Sequence, residues 1–136
     1  VSTAGPPGSP GSVVATALRA LAIANEAPRG AGPGLATWRW TMRQRVAAVR
    51  DALCAEPGRS DVPDDGWLAA RGGAAFAERN ALLMRLGELG SRVIEDADVG
   101  AVRAEVARLV ADVGHHVQRV HDLAHDRVEM ELGGSE

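Results

Sequence analysis

Apolar residues recur at helical spacing over four stretches of this chain, and the stretches differ in how sharply they do so. The longest runs from about residue 98 to 131. There Val102, Val106, Leu109, Val110, Val113, Val117, Val120, Ala124 and Val128 fall on one face. Their spacings alternate between three and four residues, the seam pattern of bundles and coiled coils. The stripe lasts about nine turns at 3.6 residues per turn. Valine disfavours helix through its branched β-carbon, so packing must hold this element together. A stripe of that length needs a cover, either from the rest of the chain or from another molecule.

A second helix is predicted over 35–55, where Trp38, Met42, Val46, Val49 and Leu53 form one stripe. Arg39, Arg43 and Arg50 line a neighbouring face, and Glu56-Pro57-Gly58 stops the helix. A third is predicted over 68–95, with Phe76, Leu83, Leu86, Gly87, Gly90, Val93 and Ile94 facing inward. Gly87 and Gly90 on that side would admit a close backbone, at about 1 kcal/mol each relative to Ala. Gly72-Gly73 is expected to fray or bend the start of this helix. Asp96 or Asp98 then caps the last one.

A fourth, shallower helix is predicted over 13–27, with Val13, Val14, Ala17, Leu18, Leu21 and Ala24 on one side. Its alanine content predicts weak docking. The fold class is therefore all-α: an antiparallel bundle of three firm helices (35–55, 68–95, 98–131) plus a possible N-terminal fourth. The Pro/Gly/Ser segment 1–12 reads as a flexible tail, 13–33 as weak helix and linker, 34–132 as the bundle domain and 133–136 as a flexible end.

Composition narrows this picture. A chain of 136 residues supports one domain with a real core. Hydrophobic residues make up 46% and aromatics 3%, so the core must be aliphatic. All 15 basic residues are Arg, which with abundant Ala, Gly and Val points to a GC-rich bacterial genome. Val1 fits a GUG start codon, and a complete open reading frame is expected.

Net charge is −3, spread as +1 over 1–33, +3 over 34–59 and −7 over 60–136. An acidic total argues against nonspecific nucleic-acid binding. The asymmetry predicts that the basic segment docks on the acidic C-terminal hairpin. Cys54 is single, so no disulfide framework or Cys-based metal site is expected. The apolar stretch 13–27 ends in a cleavage-like Ala22-Ile23-Ala24. It lacks a preceding basic residue and is interrupted by Arg19, so a cleaved leader is rejected. No run approaches the roughly 18 apolar residues of a membrane span. A cytoplasmic location is the default.

Candidate chemistry gathers on the last helix, which holds all four histidines: His115, His116, His121 and His125. His121, His125 and Glu129 are spaced i, i+4, i+8. Such a ladder can reach one divalent metal ion, the alternative to a cofactor-free protein. A solvated helix face is the simpler reading, and it places the imidazoles outward. On the second helix, Trp40 lies about 160° from Trp38 by helical rotation. An indole facing away from the core, flanked by Arg39 and Arg43, is a candidate anchor for a protein partner. Cys54 faces away from its stripe as an inert thiol.

An Arg and a later His with four to six residues between them occur twice, as Arg108 and His115 and as Arg119 and His125. This spacing resembles the catalytic signature of the HEPN family of helical ribonucleases. The resemblance implies phosphodiester cleavage by the pair. On an uninterrupted helix, positions six apart lie about 120° from each other, so convergence needs a break. The closing segment, Asp122 to Glu136, is similar to the ends of small actinobacterial helical proteins and implies no activity. The expectation is a non-enzymatic bundle acting through protein contacts, most simply as a homodimer. Its alternatives are a metal-binding bundle and, remotely, an RNA-cleaving one.

Overall fold

The computed structural model describes residues 10–27, 32–55 and 66–133, with side chains over 13–27, 32–55 and 72–126. The expected flexible segments, the linker at 28–31 and the acidic loop at 56–65 lie wholly or largely outside that range. The described residues form α1 (Pro10–Glu26), α2 (Pro33–Cys54), α3 (Gly66–Glu95) and α4 (Val99–Gly133). An all-α bundle is what they make, and the fourth helix is a full member of it.

Each helix touches the helices before and after it, and α1 also touches α4, so the four close into a ring. Among the described residues α2 does not reach α4, nor α1 α3. Neighbours run antiparallel. The end of α1 meets the start of α4 at Asn25 and Arg103, and Leu18 lies beside Gly114. Likewise Glu78 meets His116 and Arg119, while Arg85 meets Asp112.

Docking of α1 exceeds what its shallow stripe predicted. Val14, Leu21 and Ala24 are buried, whereas Val13 turns partly outward. Polar clasps supplement the apolar contact. Buried Trp38 donates from its indole N–H to the Ala24 carbonyl at 3.2 Å. Asn25 Nδ2 donates to the Arg103 carbonyl at 3.2 Å, and Arg103 Nε returns a bond to the Asn25 carbonyl at 3.1 Å. The bonds from Trp38 and Arg103 end on carbonyls in the last turn of α1, where intrahelical partners run out.

The bend into α2 depends on Gly32, whose φ of 58° suits glycine, with Pro33 opening the helix. The α2 stripe is buried as predicted, with Trp38, Met42, Val46, Val49 and Leu53 joined by Ala52. In α3 the buried line is Leu82, Leu86, Leu89 and Val93, so the inward face is rotated from the predicted one. Phe76 and Leu83 are half-buried, and Ile94 is exposed. Gly87 and Gly90 do not serve close approach, because a Cβ at either would meet nothing within 4 Å. Helix α3 also passes unbroken through Gly72-Gly73. Between α3 and α4, Asp98 is the cap: its carboxylate accepts from the Ala101 N–H at 3.0 Å, and Asp96 accepts from the Asp98 N–H at 2.8 Å.

The helices differ in length, with 17, 22, 30 and 35 residues in chain order. Counting from the Leu18–Gly114 level at equal rise puts Pro10 opposite about residue 122, and α2 ends near the same height. Among the described residues, the first turns of α3 and the last three turns of α4 therefore continue as a two-helix arm, about 17 Å beyond the four-helix section.

Candidate functional sites: a buried histidine, a half-buried arm and a groove between two helices

Along α4 the buried positions are Val102, Val106, Leu109, Val113 and His116. They continue the alternating four and three spacing without a break. His116 therefore occupies a seam position and is only 1% exposed, while Val117 beside it is half-buried. The outward placement expected for the imidazoles holds for His115, His121 and His125 and fails for His116. Polarity suggested the surface; register decided otherwise.

What makes burial tolerable is Glu78 of α3. Its Oε1 lies 2.7 Å from His116 Nδ1 and accepts from Arg119 Nε at 3.1 Å. A terminal nitrogen of Arg119 donates to Oε2. Partial burial works to raise the Glu78 carboxyl. Hydrogen bonds from Arg119 and His116, with their Coulombic attraction, outweigh it and hold the carboxyl below its ordinary value. An ionised carboxylate only accepts, so His116 Nδ1 carries the proton in this bond. The three residues lock α3 to α4 where the four-helix section gives way to the arm. Above them a groove of about 250 Å³ opens between the arm helices, lined by Ala74, Ala75, Glu78, Arg119 and Leu123.

The ladder residues His121 and His125 are exposed on the arm, and the side chain of Glu129 lies outside the described residues. No group of three or more potential metal-ligating side chains occurs among the described residues. Helix α4 runs unbroken through both Arg/His pairs. Arg108 engages Glu105 at 2.6 Å, and Arg119 engages Glu78.

The acids of the hairpin are served by its own arginines. Arg85 donates to Asp112 at 2.8 Å and to Glu105 at 3.4 Å, and Arg92 pairs with Asp96 at 3.2 Å. Hydrogen bonding from Arg108 foremost, with Arg85 adding to it against partial burial, holds the Glu105 carboxyl below its ordinary value. The basic segment does dock on the acidic hairpin through the contact of α2 with α3, but among the described residues its arginines form no ion pair with the hairpin's acids and α2 does not reach α4. Arg39 instead donates to the Val93 carbonyl at 2.8 Å, closing an open carbonyl in the last turn of α3. Arg43, Arg45 and Arg50 are exposed and make no ion pair among the described residues.

Trp40 is 56% exposed, as its angular separation from Trp38 predicted. On the same side of the molecule a groove of about 300 Å³ runs between α2 and α3. Arg43 and Arg50 of α2 and Glu95 of α3 line it with Ala47, Gly87, Gly90 and Ile94, over the buried Val46 and Leu86. The two glycines thus hold a trough open rather than a helix close. Cys54 is an exposed free thiol. No described helix is long and apolar enough to cross a membrane. Neither a protein-family model, nor a curated protein, nor a solved structure matches this chain.

Proposed function

We propose that this protein acts through protein–protein contact and that its first partner is a second copy of itself. The observation that carries this reading is the change along α4 at the end of the four-helix section. Seam residues through His116 are buried, whereas Val120 and Leu123 are half-buried and Ala124 is exposed. The stripe continues in sequence to Val128, and among the described residues α3 is the helix that accompanies α4 to that level. Burying such a side chain completely contributes about 1.5–3 kcal/mol, so a second molecule laid against the arm would gain from each. Most oligomers are assemblies of identical chains, which favours a second copy as the cover.

Light scattering of purified protein across micromolar concentrations tests this. A mass near twice the 14.2 kDa of one chain is expected. Val120→Asp with Leu123→Asp should return it to one chain with helicity by circular dichroism unchanged. A wild-type protein that stays at one chain throughout overturns the reading.

A further inference from the structure

The apolar side of the arm is shared between α3 and α4, through Phe76 from one and Val120 and Leu123 from the other. Its shape therefore depends on how the two helices are set against each other where the four-helix section ends. We infer that the cluster of Glu78, His116 and Arg119 is an acid-operated latch at that point. With Glu78 ionised, the arm keeps the form that a second copy covers; protonation of Glu78 releases the copy. The inference rests on the self-association proposed above and adds its regulation.

One carboxylate serves two donors. Glu78 Oε1 accepts from His116 Nδ1 at 2.7 Å and from Arg119 Nε at 3.1 Å, and Oε2 accepts from a terminal nitrogen of Arg119. Both donors belong to α4 and lie about one turn apart, so a single group on α3 fixes the rotation and height of α4 at this level. Glu78 and Arg119 also line the groove between the arm helices, beside Ala74, Ala75 and Leu123. The latch borders the surface it controls.

Protonation acts on all three groups at once. A carboxylic acid turns one acceptor oxygen into a donor, so it cannot serve both partners as the anion does. Arg119 keeps its charge, and an imidazole that has lost its acceptor takes a proton of its own in acid solution. His116 is only 1% exposed, and charge left there without its anion is strongly unfavourable. The surrounding charges do not replace that anion. On α4, Asp112 also acts on Arg119, but Arg85 of α3 already holds it at 2.8 Å. Arg79 of α3 lies over the Phe76 ring. The described charges of α1, Arg19 and Glu26, are exposed, as are Arg50 and Asp51 toward the end of α2. Partial burial pushes the Glu78 carboxyl up, and the bonds and charges of Arg119 and His116 outweigh it. The latch thus stays shut at neutral pH and opens as pH falls through the lowered value, below the ordinary glutamate range.

Light scattering of the full chain at stepped pH, with circular dichroism at each step, tests this. Wild type is expected to associate with unchanged strength from neutral pH down to the ordinary glutamate range. Below the lowered value it should weaken about tenfold for each further pH unit with helicity retained, as one proton per chain is taken up. Arg119→Gln removes an exposed side chain that holds the carboxyl low, so release should move to higher pH. Glu78→Gln has no proton to gain and should associate weakly, without the step. Wild-type protein that associates as tightly below the glutamate range as at neutral pH overturns the latch while self-association stands. So does an Arg119→Gln profile that coincides with wild type. Dissociation that comes only with loss of helicity is general acid unfolding and overturns it as well. A wild-type protein that is a single chain at every pH removes both.

Discussion

The four-helix section and the arm are built from the same two helices, α3 and α4, with much the same kinds of residue, yet they hold their apolar face in different ways. In the section, α1 and α2 close the ring, and Leu86, Leu89, Val106 and Leu109 are buried. At the far end, where the described parts of α1 and α2 run out and the arm begins, Phe76, Val120 and Leu123 are half-buried. Burial here is decided by how many helices share a level, not by the residue. A stripe that is uniform in sequence becomes a core over one part of its length and a surface over the rest.

The largest effect separating the two regions should come from matched truncations. Leu109→Ala in the section is expected to cost about 2–5 kcal/mol, as buried leucine truncations do. Leu123→Ala in the arm should cost well under half of that, with both read from urea unfolding of a single-chain preparation. Equal costs would erase the distinction between section and arm. At the junction, His116→Ala leaves Glu78 one hydrogen bond short and opens a cavity at a seam position. A loss of about 1–3 kcal/mol is expected by the same measurement.

Acid titration sharpens the junction further. Glu78 is held below its ordinary value in the folded chain, so its contribution is complete above the unfolded glutamate pKa. It is lost as pH falls through the lowered value, because the unfolded chain then binds the proton more readily. Glu78→Gln should flatten this part of the stability–pH profile, monitored by thermal melts at successive pH values. The smallest expected effect has the opposite sign. Gly90→Ala should raise stability by about 0.5–1 kcal/mol, since it improves helix propensity and its Cβ meets no neighbour. A loss on that substitution would mean that the groove is closed after all.

Legibility in the sequence followed how distinctive each stripe was. In α2, large residues at Trp38, Met42, Val46, Val49 and Leu53 leave no competing face, and all five are buried. In α3, leucines at 82, 83, 86 and 89 flank glycines at 87 and 90, so several rotations satisfy the pattern. Only the neighbouring helices select Leu82 and Leu89, which the sequence reading left out. His116 was missed because a titratable residue was assigned by polarity. The unbroken four-three count from Val102 would have found it, but its partner Glu78, 38 residues earlier, has no local signal. The docking of α1 was underestimated for a related reason. The bonds at Ala24, Asn25, Trp38 and Arg103 are tertiary, and no periodicity reports them. Trp40, by contrast, was legible from angle alone.

The pairing of α1 with α4 bears on the order in which the molecule assembles. Every other interface joins helices adjacent along the backbone, so three successive hairpins can form by short-range search. Joining Asn25 to Arg103 requires segments 78 residues apart to meet, and the entropy of that long loop must be overcome before the contact rewards it. Chain connectivity therefore makes the α1–α4 contact, rather than any of the three hairpins, the last to be secured.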